Sequence, residues 1–356
     1  AGLASRADLG RVSFYFNPEL RYSEDDEDFV VKRAYSVLSF WGLELEAGKD
    51  SQWWGPGRHG ALLLSNNAEP LTMLKLTNPH PVLLPWVFER LGPFRFVFFV
   101  SRLEEERAVA EPYIWGLRLN FKPSPYVELG LARTAMLGGE GHSESPGTWA
   151  RSFLFLDRGS GDVSDHKVSF DLKITLPLRR LPAQVYGEVA VEDGGLPSAV
   201  ADIVGYDGDS PMTAYLAGLY LPGPLGVDRA ALTVEYATTR ADNRPKDRWY
   251  THHVYQSGHT FKGRVLGHHM GAEAEDLFVE VSYLLPELNG GVKVSYDRES
   301  RDLPGGGEQE KSEFSATLSL EVIKDLALDV RVAGGALEGY ADDAASLFAL
   351  TASYRY

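Results

Sequence analysis

The chain contains no cysteine. That excludes structural disulfides, thiolate zinc sites and cysteine nucleophiles. Long apolar runs are missing as well. The longest, over 82–88, is interrupted by Pro85, far short of the ~20 residues that a membrane-spanning helix needs. Basic residues are scarce relative to acidic ones: 35 Lys and Arg stand against 50 Asp and Glu, a formal net charge of -15. A duplex nucleic-acid binder requires a basic face, so nucleic acid is not an expected partner. An initiator methionine and a signal peptide are absent too, the expectation being a processed chain or one that starts late. The 356 residues allow two ordinary domains or one large β domain.

What is present is alternation. Phe314, Ala316, Leu318, Leu320 and Val322 are apolar, with Glu313, Ser315, Thr317, Ser319 and Glu321 between them. Val168, Phe170, Leu172, Ile174 and Leu176 alternate with Lys167, Ser169, Asp171, Lys173 and Thr175, and the same rhythm runs from Tyr113 to Lys122. Successive strand side chains point to opposite faces, so each segment is a ribbon with one apolar and one polar face. About a dozen such ribbons follow residue 94, and two more are expected near 12–22 and 35–47.

A soluble sandwich buries its apolar faces, whereas an outer-membrane barrel turns them to lipid. Three features favour the barrel. The ribbons are about ten residues long, the length of a tilted spanning strand. Connections alternate short (123–125, 177–182, 222–229, 286–291, 324–325) and long (137–165, 193–211, 240–275, 299–311, 335–345), as periplasmic turns and outer loops do. The last ribbon carries Phe348, Leu350, Ala352, Tyr354 and Tyr356 on one face, similar to the terminal assembly signal of bacterial outer-membrane proteins. The expected fold is therefore all-β, a single transmembrane antiparallel outer-membrane β-barrel over 1–356, with an even strand total between 14 and 18. By parity, 48–93 begins and ends on the periplasmic side, as a lumen-occluding plug or as irregular strands. Residues 249–267 are expected to add a further hairpin.

The segment 48–85 contains Trp53, Trp54, Gly55, Pro56, Gly57 and Arg58, followed by Ser65, Asn66, Asn67, Ala68 and Pro70. With these residues the chain resembles the Wzi family of outer-membrane capsule-assembly proteins. A second patch over 249–271 agrees, with Tyr255, Gly258, Gly263, Gly267 and His268 at the family's positions. The resemblance implies an 18-stranded barrel, with 16 strands the alternative, occluded by inserted elements. It implies lectin-like, non-enzymatic attachment or retention of surface polysaccharide. Family members carry more sequence before the first strand and helical elements on the periplasmic side, whereas about ten residues precede the first strand here.

Trp53 and Trp54 offer faces for sugar stacking, with Arg58, Asn66 and Asn67 as hydrogen-bonding groups. Gly-Pro-Gly reads equally as a tight turn within plug architecture, and parity sets Trp53 at the periplasmic end. The polysaccharide-binding surface is therefore sought in the outer loops, at Trp149, Arg151, His142, Tyr206, Trp249, Tyr250 and Tyr340. His252, His253, His259, His268 and His269 lack an evident carboxylate partner, and neighbours on a strand diverge, so no metal site is expected. The acidic tip Glu24, Asp25, Asp26, Glu27 and Asp28 offers only loose Ca²⁺ or Mg²⁺ binding. No nucleophile and base are held together, so no enzyme is expected.

The expected partners are outer-membrane lipid and lipopolysaccharide, surface polysaccharide and export-machinery proteins. A closed barrel needs no second subunit, so a monomer is expected. The alternative function is a porin or polysaccharide export channel, motivated by the polar faces carrying Arg118, Glu128, Asp171, Lys173, Glu188, Lys293 and Asp297. An acidic polymer meeting a chain of net charge -15 needs Arg/Lys patches or divalent ions between them.

Overall fold

The computed structural model describes residues 3–22, 27–154, 156, 164–177, 182–192, 213–240, 249–303, 306–324, 326–339 and 343–354. Eighteen strands share one antiparallel sheet. The first half comprises β1 (Ser5–Leu9), β2 (Val12–Tyr22), β3 (Glu27–Phe40), β4 (Leu43–Asp50), β5 (Leu71–Thr77), β6 (Val82–Leu83), β7 (Pro93–Arg102), β8 (Tyr113–Ser124) and β9 (Val127–Leu137). The chain continues through β10 (Asp165–Leu176), β11 (Ala183–Glu192), β12 (Thr213–Pro222) and β13 (Ala230–Thr238). A separate small ribbon, β14 (Thr260–Phe261) and β15 (Arg264–Val265), precedes β16 (Ala274–Leu285), β17 (Gly290–Asp302), β18 (Glu308–Ile323), β19 (Leu326–Glu338) and β20 (Asp343–Tyr354). Neighbours in sequence are neighbours in the sheet. The exceptions are that β6 continues β5 along one edge of β7, and that β13 pairs directly with β16.

The two faces of each strand separate by polarity in the reverse of a soluble protein. On β10, Asp165, Lys167, Ser169 and Asp171 are buried while Phe170 is exposed. On β11 and β13, Glu188, Glu192 and Glu235 are buried while Val185 and Tyr236 are exposed. Phe314, Val332, Phe348 and Leu350 on the later strands also face outward. Charges inside and an apolar exterior are stable only where the exterior meets hydrocarbon. Exposed aromatics mark the short-turn end: Trp41 between β3 and β4, Trp86 in the 3-10 turn Trp86–Leu91, and Tyr126 between β8 and β9. Such side chains suit a membrane–water boundary.

The turn at Trp41 and Gly42 corrects the strand expected over 35–47. Both residues have positive φ, 47° and 79°, and the chain reverses there into two paired strands. That extra reversal changes the parity. Residue 51 leaves the far end of β4 rather than the periplasmic end, and the stretch outside the wall is narrower than 48–93. Residues 48–50 complete β4, and 71–77 form β5.

Residues 51–70 run inside the curl of the sheet. Ala61, Leu62, Leu63 and Leu64 are an unbroken apolar run, all four buried; a run without alternation has no polar face to offer a lumen and no reason to join the wall. The segment touches β7 and β8 through Trp54, which packs edge-on against Phe99 and over Gly116. It touches β11, β13, β16 and β17 through Glu188, Glu235, Asp276 and Asp297. A sheet whose distant strands all meet one short segment is wrapped around it.

Residues 249–273 are a second insert. They were expected as a wall hairpin, but β14 and β15 pair only with each other. The long connection over 137–165 also differs from a plain loop. It holds a helix, α1 (Pro146–Leu154), that starts where Ser145 Oγ accepts the Thr148 N–H at 3.2 Å and Pro146 opens the first turn. α1 lies on the outside of the wall: Trp115 Nε1 donates to Ser152 Oγ at 3.1 Å, and Phe153 packs on Trp115.

Candidate functional site

The two inserts, separated by nearly two hundred residues, meet backbone to backbone. Ser65 N–H donates to Leu266 O at 2.7 Å, and Ser65 Oγ donates to Gly267 O at 2.5 Å. Asn67 Nδ2 donates to Val265 O at 2.9 Å. Tyr250 OH donates to Leu62 O at 2.6 Å and accepts the His268 N–H at 2.8 Å. The Ser-Asn-Asn motif thus works as a clasp between inserts, with only Asn66 left exposed.

Wall carboxylates grip the first insert from below. Glu235 accepts the backbone N–H groups of Arg58 (2.7 Å), His59 (3.2 Å) and Gly60 (2.8 Å), and the Tyr186 hydroxyl at 2.8 Å. Glu188 accepts the Leu62 N–H at 3.2 Å. Three successive N–H groups converging on one carboxylate form an anion-binding concavity. The glycines make the approach possible. A Cβ at Gly57 would overlap Gly60 O, and one at Gly60 would overlap the His268 ring. Gly55 has φ 151°, and a Cβ there would press on the Glu188 carboxylate. The Trp-Trp-Gly-Pro-Gly sequence is therefore shaped by close packing.

Trp53 and Trp54 have separate roles. Trp54 is buried, whereas Trp53 is half-buried and donates Nε1 to Gly57 O at 3.1 Å; both line a cavity of about 520 Å³ with Arg95, Lys122 and Lys173. Pro93 and Lys122, which flank short turns, place this cavity toward the short-turn end. Arg58 is exposed and lies over the Tyr220 ring, 3.7 Å from its centroid.

A second cavity, about 410 Å³, opens where the inserts meet β2, β3 and β4. It is lined by Lys32, Arg33, Lys49 and Arg264, with Glu69 the single carboxylate, and by Asn66, Asn67 and Pro70 of the motif. Lys32 and Arg33 reach the same cavity although adjacent, because a bulge opposite Asn17 and Pro18 interrupts the register of β2 and β3. Lys49 and Lys262 both pair with Glu69, at 3.3 and 3.1 Å. The basic lining was not legible in the sequence, since its residues come from three separate segments.

The outer-loop candidates divide. Trp249 and Tyr250 are buried and pack against each other within the insert core, which withdraws them from an external surface. Their burial follows from the insert folding inward. Trp149 and Arg151 are half-buried on α1, where Trp149 packs on Tyr113; His142 is exposed beside Tyr255. Tyr206 and Tyr340 lie outside the described residues, as do Glu24, Asp25 and Asp26 of the acidic tip; Glu27 and Asp28 begin β3.

The histidines of the second insert lie in its loop, so the strand argument for divergence does not apply to them. His252 Nδ1 accepts the N–H groups of Val254 and Tyr255 at 3.3 and 3.2 Å. His259 donates Nε2–H to Leu63 O at 2.8 Å. Burial holds both imidazoles neutral, His259 down at about 3 and His252 at about 4. Their folded values lie below the unfolded one, so the unfolded chain takes up protons first. The insert's stability is complete above about pH 6.5 and declines as the pH falls toward these values. Protection factors over 250–266, corrected for the intrinsic exchange rate at each pH, are expected to fall between pH 6.5 and 4.5; protection unchanged across that window would contradict the neutral assignment.

An apolar exterior, a charged interior and two chain segments packed into the lumen define the class: an outer-membrane β-barrel with internal inserts. The chain belongs to the capsule assembly protein Wzi family, whose profile matches residues 1–340. Among solved structures it is similar to Wzi of Escherichia coli, described as an outer membrane protein involved in group 1 capsule assembly and a carbohydrate-binding β-barrel. The TM-score is 0.76 at 22% identity, covering 97% of this chain and 75% of that one. It is also similar to OccAB4 of Acinetobacter baumannii, with a TM-score of 0.55 and 9% identity over 99% of this chain and 89% of that one. A curated relative is an uncharacterized 55.8 kDa protein in the cps region of Klebsiella pneumoniae, 31% identical over 188 residues. That match covers 51% of this chain and 37% of the relative, so the matched region spans little more than a third of it.

Proposed function

We propose that the protein attaches or retains surface polysaccharide at the outer membrane in capsule assembly, as a non-enzymatic, lectin-like barrel. The carrying observation is the basic cavity of Lys32, Arg33, Lys49 and Arg264, set beside the family's Asn66-Asn67 motif in a chain whose net charge is -15. Such a patch supplies attraction where an acidic glycan would meet repulsion elsewhere. Lumen filling by the inserts favours holding a polymer over passing one. Lipopolysaccharide and export-machinery proteins are the further partners this role requires.

Purified protein is expected to bind acidic capsular polymer, more weakly as salt rises. Charge reversal at Lys49 and Arg264 should weaken binding about tenfold, the effect of about 1.4 kcal/mol, and flatten the salt dependence. Deletion of the gene should release capsule from the cell surface into the medium. Capsule retained by a clean deletion, or binding indifferent to the double reversal, would remove this reading. The second reading, a porin or export channel, draws on the polar faces of β17 to β20, which the inserts leave partly exposed. Large single-channel steps from the unmodified protein in planar bilayers would favour it.

A further inference from the structure

Four side chains from four different segments converge at one point between inserts and wall. They are His59 of the first insert, His269 of the second, Asp276 of β16 and Asp297 of β17, and one donor atom from each lies within 4.8 Å of all the others. His269 Nε2 is 2.9 Å from Asp276 Oδ2 and 4.0 Å from Asp297 Oδ2. His59 Nε2 is 3.7 and 3.4 Å from the same two oxygens. Donor atoms arranged tetrahedrally about an ion at ~2.0–2.1 Å stand about 3.3–3.4 Å apart. The observed separations straddle that value.

The four groups are partnered mainly with one another. His59 Nε2, His269 Nε2 and Asp276 Oδ2 are all buried, and among the described residues their contacts are the ion pairs they make with one another and with Asp297 and Glu299. The Asp276 side chain is 1% exposed. Buried polar atoms nearly always find partners. Four donor atoms brought from four segments to one point are aimed at a shared centre. Two neutral imidazoles and two carboxylates would present a charge of -2 to it, matching a divalent cation. Imidazole donors select zinc and its transition-metal neighbours over calcium or magnesium.

The surroundings hold the donors in place. Phe278 stacks flat on His59, with ring centroids 3.8 Å apart and planes 5° apart. Glu235 fixes the His59 backbone, and the His268 ring stacks against His269. Glu299 stands 3.7 Å from His269 Nε2, tied to Lys311.

We propose that His59, His269, Asp276 and Asp297 form a binding site for a divalent transition-metal ion of the zinc class, which fastens both inserts to β16 and β17 at one point. The sequence hid this site. His59 is a lone histidine in a glycine-rich turn, the two aspartates look like ordinary lumen charges, and the four positions are scattered over more than two hundred residues.

The test uses the full chain in detergent, stripped with a chelator and titrated with Co²⁺ and then Zn²⁺. One equivalent of Co²⁺ should produce visible d–d absorption with both imidazole and carboxylate donors, and one equivalent of Zn²⁺ should abolish it. Zn²⁺ should raise the melting temperature of the stripped protein. His269→Asn and Asp297→Asn should each weaken binding by more than about tenfold, a loss that removal of a mere supporting group already reaches. Melting of the stripped variants beside the stripped parent separates lost ligation from lost folding: a variant that melts like the parent and still fails to bind supports the site. Absence of stoichiometric binding by the parent would overturn the proposal, as would parental affinity in both variants. A preference for Ca²⁺ over Zn²⁺ would overturn the assigned metal class.

Discussion

Glu235→Ala is expected to raise the conductance of the barrel. The carboxylate is 1% exposed and accepts three consecutive backbone N–H groups of the first insert as well as the Tyr186 hydroxyl. Without it those donors lose their buried acceptor. Each orphaned donor costs about 1–3 kcal/mol, so the sum is a sizeable fraction of a stability of about 5–15 kcal/mol. The loss falls on the insert rather than on the wall, whose strands keep their ladders. The insert should detach around 57–60 while the β-sheet circular dichroism persists. Planar-bilayer recordings should then show larger steps than those of the parent, and hydrogen exchange over 55–64 should accelerate. Glu235→Gln keeps one acceptor oxygen and should be intermediate. Parental conductance in the alanine variant would mean that Glu188 and the clasp at Ser65 hold the insert without Glu235.

Gly60→Ala is expected to disrupt the packing of both inserts through a single methyl. The added carbon would overlap the His268 ring, and that ring is fully buried, its backbone N–H held by the Tyr250 hydroxyl. It is not the free end of a flexible side chain, so the strain has no cheap outlet. Overpacking of this kind costs about 1–3 kcal/mol and sometimes more. It separates the two inserts at the point where they meet, so the melting temperature should fall and the exchange protection of both 58–64 and 264–270 should fall together. Gly334→Ala is the control: nothing lies within 4 Å of its added carbon, and a change within about 0.5 kcal/mol is expected. Equal melting temperatures for the two variants would show that the inserts have room the packing denies.

The wall was legible because its physics is local. Strand pairing in lipid forces apolar residues to one side at every second position, and β10 or β18 can be recognised from ten residues without reference to any other part of the chain. Where local signals failed, a specific residue pair was responsible. Trp41 and Gly42 reverse the chain inside what reads as one strand, and one unrecognised reversal inverted the parity that had set the first insert's entry. α1 was missed within a long loop although Ser145 and Pro146 are a helix start.

The site was legible in part. Trp53 to Arg58 and Ser65 to Pro70 carried the family resemblance, and their neighbourhood matters. Their roles did not follow from residue type, however. The tryptophan pair splits into one buried and one half-buried member that line the same cavity, and Asn67 gives its amide to the other insert. Trp249 and Tyr250, read as external aromatics, turned out to be core.

By itself the sequence determined the all-β class, the apolar exterior and the family, because alternation and short motifs are properties of neighbouring residues. Only the tertiary structure decided that two inserts far apart in the chain clasp each other, that Glu188 and Glu235 hold them, and that Lys32, Arg33, Lys49 and Arg264 share a cavity. Those facts depend on which strands face one another across the lumen. That is set by curling the whole sheet around its buried contents, and no window of residues contains it.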